Sequence, residues 1–379
     1  MTVNQEEAFR YFWAQHCPVV VYDVHAKLQG RWTPDAFIES HGKDNVSVID
    51  SSMPTATIMS VEEFFKLFTS DLQEQKRVVK MKDWPPSAEF RDLFPTQFDA
   101  FMDAIPMSAY TRHDGYLNLS SHWPFDQLLH LQLFKPDLGP KAYLASPDHL
   151  ESGSTPLHLD VTSAVNLLVY VHGSPPGVPG ALWHIFPAHV TPKLRSYLRE
   201  VTGDSSPRDP IHAQTTYLTR SMRDDLIARG IEFFEIFQKL GDAVFIPAGC
   251  AHQVSNLRPC IKIACDFVCV EGIPASLTIT QEFRAEPRED ILNMEAMLWH
   301  AWRSVDLQLR YSDNLPRPNA GAMQSVWRRK HVANRRAEAS EARKQGPAAE
   351  DRSRDYRCLI DHCAQADRHF VLGGIFDHM

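Results

Sequence analysis

Between residues 105 and 285 the chain is a succession of short apolar runs cut by turn residues: 116–119, 142–145, 157–159, 164–171, 181–186, 243–246 and 260–268. Runs of this length, bounded by Gly and Pro, read as strands. Several of them at this spacing predict a β-sandwich or barrel. The 26 prolines, against 17 glycines, fit that reading, because proline is tolerated in turns and on edge strands far better than inside helices. Residues 193–201 and 220–229 read as helices inserted between strands.

The flanks differ. Residues 1–104 mix elements. Residues 6–16 carry Phe9, Phe12 and Trp13 at helical spacing, and 18–22 is a compact β-branched strand. Thr33-Pro34 opens a helix with Thr33 as cap. Ser60 to Glu63 is a capping box for a helix through Phe64, Phe65 and Phe68. Trp84-Pro85-Pro86 is a rigid break. Residues 289–379 read as helical, with a basic segment at 327–357 of ten Lys/Arg and five acids, net charge +5. That segment is either a solvated linker or an arm for nucleic acid or chromatin. The remaining chain is −13, within a total of −8 and a pI near 6.1, which argues against capture of the whole protein by nucleic acid. Seven scattered cysteines do not form a disulfide framework, which favours a reducing compartment. The N-terminus lacks a secretory h-region, and no apolar stretch approaches the length of a membrane span. The expectation is a soluble protein of the cytoplasm or nucleus.

The chemistry-bearing signal is His158-Leu159-Asp160, ahead of a strand-like run. On a strand, residues i and i+2 share a face, so His158 and Asp160 can grip one ion while Leu159 packs the other way. His252 follows 94 residues after His158, at the end of Gly241-Asp242-Ala243-Val244-Phe245-Ile246-Pro247-Ala248-Gly249-Cys250-Ala251-His252. This reads as a strand, a tight turn and a histidine opening the next strand. Two histidines and one carboxylate on a β-barrel make the facial triad of non-haem Fe(II) oxygenases, three protein ligands on one face of an octahedron and three open positions. Among 18 histidines an isolated H-x-D is weak; the order of the elements strengthens it.

With these residues in place the chain resembles the jumonji-C (JmjC) domains of the 2-oxoglutarate oxygenases. It is most similar to the branch of histone H3 lysine-9 demethylases that includes the hairless protein. Matching segments include Lys82-Asp83-Trp84-Pro85-Pro86, Asp137-Leu138-Gly139-Pro140-Lys141, Gly180-Ala181-Leu182-Trp183-His184-Ile185, Asp209-Pro210-Ile211-His212 and Thr280-Gln281-Glu282-Phe283-Arg284. The resemblance implies a mainly β fold with α: a double-stranded β-helix (cupin or jelly-roll) core at 105–288, an N-terminal α+β region packed on it and C-terminal helices. It implies Fe(II) ligands at His158, Asp160 and His252, and contacts to 2-oxoglutarate from Thr155, Asn166 and Lys262. Many relatives place a lysine some 15–18 residues after the first histidine; here that stretch has none, and Lys262 is the replacement. The implied activity is oxidative demethylation of mono- or dimethyl lysine on histone H3, in the nucleus, with chromatin as partner. Protein hydroxylation and an inactive chromatin scaffold are the alternatives. His184, His212 and Cys250 are read as structural, Trp183 as packing or a pocket wall, and Cys358/Cys363 as no zinc site.

Overall fold

In the computed structural model residues 3–312 are described apart from 52, 54, 70–76, 123–135, 150–151, 174, 176, 204–205 and 286–292, together with the pairs 356–357 and 369–370. Met1–Ala301 forms one compact unit. The unit opens with helix α1 (Val3–Trp13) and strand β1 (Val19–Val21), then α2 (Pro34–His41), β2 (Asn45–Asp50), β3 (Thr57–Ser60), α3 (Val61–Phe68) and β4 (Val79–Trp84). Three short helices follow, α4 (Phe90–Leu93), α5 (Pro95–Ala104) and α6 (Ser108–Thr111). The barrel strands are β5 (Lys141–Ala145), β6 (Thr155–His158), β7 (Ser163–Val171), β8 (Pro179–Phe186), β9 (Phe234–Lys239), β10 (Ala243–Ile246), β11 (Ala251–Asn256) and β12 (Cys260–Phe267). Helices α7 (Thr191–Thr202) and α8 (Arg220–Ala228) lie between β8 and β9 in the chain, and α9 (Ile273–Ala285) and α10 (Met294–Ser312) come last.

Local chemistry accounts for several boundaries. At the start of α3 the Glu63 backbone amide donates to Ser60 Oγ at 3.2 Å, while the Ser60 amide donates to Glu63 Oε2 at 2.8 Å. Two otherwise orphaned donors are thereby satisfied. Helix α2 starts at Pro34 as read, although Thr33 makes no side-chain cap. Residues 116–119 are not the expected strand. Asn118 takes over the backbone there: its Nδ2 donates to Arg112 O, and its Oδ1 accepts from Ser120 and from the Val268 amide. A side chain that hydrogen-bonds the neighbouring backbone competes with a ladder, and the segment becomes turns followed by a 3₁₀ turn at Leu119–His122.

Two antiparallel sheets result. The larger has the order β1-β10-β7-β12-β5-β4-β2-β3, the smaller β6-β11-β8-β9. Strands β10-β7-β12-β5 face β6-β11-β8-β9 as the eight strands of a double-stranded β-helix. The N-terminal residues extend the larger sheet at both ends, with β1 on one edge and β4-β2-β3 on the other. Both outer faces are covered. Phe9, Trp13, Phe37, Phe64, Phe65 and Phe68 pack with Val165, Leu167, Phe245, Ile261, Ile263 and Phe267 of the large sheet. Leu194, Tyr197, Leu198 and Leu226 of α7 and α8 pack with Leu157, Phe186 and Ala251 of the small one. Strands buried on both faces read as nearly continuous apolar runs, which is why β7 was conspicuous in the sequence. Between the sheets Val244, Ile246, Trp183, Ile185 and Val254 form a thin apolar layer. Polar residues share the rest of the interior.

The unit Trp302–Met379 is described only through the last turns of α10 and an antiparallel pair, Tyr356–Arg357 with His369–Phe370. Cys358, Cys363 and all of the basic segment 327–357 except its last two residues lie outside the described residues. No described helix is long and apolar enough to cross a membrane.

Candidate active site

His158 and His252 are direct cross-strand partners of β6 and β11. Residues directly opposite one another share a face, so the register itself brings the two imidazoles together, ring centroids 4.2 Å apart. Asp160 completes the group: its Oδ1 lies 3.8 Å from His158 Nε2 and its Oδ2 3.5 Å from His252 Nε2. The donor atoms all fall within 4.8 Å of one another. An octahedral metal with bonds of about 2.1 Å separates adjacent ligand atoms by roughly 3 Å, about half to four fifths of an ångström less than the 3.5 and 3.8 Å here.

The other nitrogen of each ring is engaged by backbone. His158 Nδ1 is 2.8 Å from Pro156 O and His252 Nδ1 is 3.0 Å from Cys250 O. A carbonyl only accepts, so both Nδ1 carry hydrogen when the rings are neutral, and both Nε2 lone pairs point at the shared centre. Burial, then the neighbouring His158, pushes the His252 pKa down to about 4, which keeps this ring in its ligating form. Asp160, with 42% side-chain exposure, lies on the open side of the group. Such a set can hold one divalent ion and leave positions free for ligands.

Trp183 stacks beside His252 at 5.9 Å, and its Nε1 donates to Gln238 Oε1 at 2.8 Å. Gln238 Nε2 in turn donates to Asn166 O at 3.0 Å and reaches Asn166 Oδ1 at 3.4 Å. Asn166 is thus tied into a buried amide chain behind Trp183. Lys262 does not face solvent: it is 5% exposed, its Nζ donates to Asn256 Oδ1 at 2.6 Å and sits 5.9 Å from the Trp183 ring centre. Thr155 accepts a hydrogen bond from Lys80, a buried lysine of β4 that sequence reasoning missed. Asn256 and Asp148 were missed as well. Asp148 Oδ2 accepts from the Asn256 backbone amide at 2.6 Å and from Asn256 Nδ2 at 3.1 Å. In Lys80-Met81-Lys82 a strand reader sees only alternation, and nothing local marks the Lys80 face as interior.

On β12 the interior face carries Lys262, Ala264 and Asp266, alternating with residues of the helix-side core. Lys262 and Asp266 are therefore roughly 13 Å apart along one strand. Asp266 belongs to a cavity of about 260 Å³ lined by Asp83, Asp137, Lys141, Tyr143, Ala264 and Asp266 together with Pro86, Leu138 and Gly139. Three carboxylates face one ammonium there, and Lys141 is bound to Asp137 at 2.6 Å. Burial, then the charge of Asp160, pushes the Asp266 carboxyl up to about 8. Burial, then the charges of Asp83 and Asp266, holds the Tyr143 hydroxyl well above its ordinary range. Asp266 lies opposite Ala164 in the β7–β12 ladder and its carboxyl is hydrogen-bonded by Thr162, two residues beyond Asp160, which places this acidic cavity next to the His/Asp group.

A second His/carboxylate group, Asp209, His212 and Glu282, has similarly close donor atoms. Arg195 already occupies it, with Nε 2.6 Å from Asp209 and a terminal nitrogen 2.6 Å from Glu282, and His212 Nε2 is 2.7 Å from Glu282. His184 is buried and faces Glu235 at 3.2 Å. Cys250 lies in the buried turn, its thiol 3.7 Å from His16 O. None of these side chains is a donor of the first group.

Comparison with known proteins agrees with this geometry. Residues 151–267 match the family model described as JmjC domain, hydroxylase. The chain is 37% identical over 360 residues to lysine-specific demethylase 3A of Mus musculus, covering 81% of this chain and 27% of that protein. It is 37% identical over 358 residues to the Homo sapiens protein of that name, again 81% of this chain and 27% of that protein. Against lysine-specific demethylase 3 of Drosophila melanogaster it is 36% identical over 345 residues, 77% of this chain and 40% of that protein. The chain thus spans about a quarter of the first two relatives and two fifths of the third. With the H-x-D and distal histidine meeting at one point inside a double-stranded β-helix, and with this likeness along most of its length, the chain belongs to the JmjC family, in the group of the lysine-specific demethylase 3 proteins.

Proposed function

We propose that this chain is an Fe(II)- and 2-oxoglutarate-dependent oxygenase that demethylates lysine side chains of histone H3. Lysine 9 in its mono- and dimethyl forms is the target that the family resemblance implies. The observation that carries the reading is the pairing of an open three-donor group with an acidic cavity beside it. In that cavity Lys141 already pairs with Asp137 and burial favours the protonated Asp266 carboxyl; an alkylammonium would supply the counter-charge that lets Asp266 ionise beside Asp83 and Tyr143.

In this reading His158, Asp160 and His252 hold the metal. The donor set fits: two neutral imidazoles with their Nδ1 tied to backbone, and one carboxylate. Bound there, iron and 2-oxoglutarate supply the oxidative chemistry that converts an N-methyl group to formaldehyde. The chain's own residues do the rest. Lys262 and Thr155 anchor the distal carboxylate of the cosubstrate, Asn166 supports the pocket through Gln238, and Trp183 forms the wall between Lys262 and His252. Asp266, Asp83 and Tyr143 receive the ammonium and orient its methyl group toward the metal. No side chain has to abstract a proton from the substrate amine. A nuclear location and a chromatin partner follow from the substrate, and the basic segment 327–357 is suited to a polyanion.

The test is incubation of the purified chain with Fe(II), 2-oxoglutarate and a dimethylated H3 peptide, read by mass spectrometry. Loss of one methylene per turnover with release of formaldehyde is expected. Gain of one oxygen would reassign the chain as a protein hydroxylase. Binding without any change of mass would make it a scaffold.

A further inference from the structure

We propose that Lys80 is a second cation of the cosubstrate pocket and that it clasps the distal carboxylate of 2-oxoglutarate together with Lys262. The inference rests on the oxygenase reading above. Lys80 lies opposite Ala145 in the β4–β5 ladder, and Lys262 opposite Tyr143 in the β5–β12 ladder. Ala145 and Tyr143 are two residues apart on β5, so all four side chains share the interior face. Lys80 is 7% and Lys262 5% exposed.

Among the described residues neither ammonium forms an ion pair within 4 Å of a carboxylate. Lys80 donates to Ser154 O at 3.0 Å and to Thr155 Oγ1, and Lys262 to Asn256 Oδ1 at 2.6 Å, all neutral acceptors. Asp148 is the acid whose charge acts most strongly on Lys80, and its oxygens are engaged by Ser154 and Asn256. The contrast within the same protein is sharp. Lys141 and Arg195, both less buried, meet carboxylates at 2.6 Å. A buried charge that lacks a counter-ion is costly, and two of them facing one carboxylate leave the pocket positive. One further carboxylate between them restores neutrality.

An ammonium has three donors. Lys80 uses two and retains one for a ligand. Thr155, because it accepts from Lys80, turns its own hydroxyl hydrogen elsewhere, and the pocket is where the second acceptor would sit. Lys80 therefore acts twice, by direct charge and by orienting Thr155. A pocket of this kind selects 2-oxo dicarboxylates over 2-oxo monocarboxylates.

Calorimetric titration of the Mn(II)-loaded chain with 2-oxoglutarate tests this without turnover. K80M should weaken binding by at least about tenfold, K80R should recover most of it, and Mn(II) affinity should stay unchanged in both. The ligand-free K80M protein should melt no lower than the wild type, because methionine removes an uncompensated charge. A purely structural lysine would instead give a lower melting temperature and no rescue by arginine, which would overturn the proposal. So would K80M binding 2-oxoglutarate within twofold of wild type. If K80M fails to fold, K80Q supplies the same titration. Wild-type chain that takes up Mn(II) but not 2-oxoglutarate would sink the oxygenase reading itself, an outcome distinct from failure at Lys80 alone.

Discussion

Among the described residues two groups of one or two histidines with carboxylates are alike in spacing and unlike in charge balance. In Asp209, His212 and Glu282 the cation is built in: Arg195 lies 2.6 Å from each carboxylate. In His158, Asp160 and His252 no arginine or lysine is bonded to the carboxylate among the described residues, and both imidazole Nε2 atoms point at it. The first group is closed and joins α7, α9 and the loop between α7 and α8. In the second the carboxylate meets only the two imidazoles among the described residues. Donor spacing alone does not distinguish a metal site from a structural ion-pair network; what already neutralises the acid does.

The largest effects should come from the His158, Asp160 and His252 group. His158→Ala or Asp160→Ala should bring turnover to background and reduce Mn(II) stoichiometry from one per chain to none. Asp160 is exposed enough that the fold should lose less than about 1 kcal/mol. Activity retained in either variant removes the metal assignment. Next in size, Lys262→Ala should raise the 2-oxoglutarate requirement by roughly 10–100-fold, the worth of one charge-assisted bond. An unchanged requirement would move the distal anchor elsewhere.

At the closed group the effect should fall on stability. Arg195→Met removes two ion pairs that are about a fifth to a quarter exposed, and should cost about 1.5–3 kcal/mol in a denaturant titration. Mn(II) affinity and turnover at low temperature should not change. A loss of metal binding in this variant would merge two sites that the comparison separates.

The smallest expected effect is a pH dependence. Burial, then the charge of Lys262, lowers the Lys80 pKa from 10.5 to about 8; Lys82 adds to the fall, and Asp148 and Asp83 oppose it. A group whose folded pKa lies below its unfolded value destabilises the fold while protonated. That penalty is complete below pH 8 and fades as pH rises toward 10.5. The sign for a carboxylate ligand is opposite, because only the charged lysine attracts it. Affinity for 2-oxoglutarate should hold steady to pH 7.5 and weaken several-fold by pH 9, with proton uptake on binding. Lys80→Arg should flatten the profile, and a flat profile in the wild type would remove Lys80 from the pocket.

Much of this was legible from residues. The alternation of short runs announced strands β5 to β8, β10 and β12. The capping box at Ser60 fixed the start of α3. H-x-D and the Gly241 to His252 turn named the donor atoms, since a two-residue period and a tight turn are local facts. What was misread followed from side chains that act on backbone: Asn118 diverts residues 116–119 from a ladder into turns. Lys80, Asp148 and Asn256 were missed because nothing local distinguishes a lysine on a solvent face from one on a barrel interior.

The sequence by itself determined which atoms are available and in what order: two histidines and an aspartate, a lysine late on β12, a β-rich middle and a basic tail segment. Tertiary structure decided which of them meet. The β6–β11 register set His158 against His252, and the β4–β5–β12 ladders set two lysines on one interior face. The physical reason is range. Periodicity and capping act over a few residues, whereas the neutralising partner of a charge is chosen by strands 94 or 182 residues apart, and only the closed barrel reveals which charges remain unpaired.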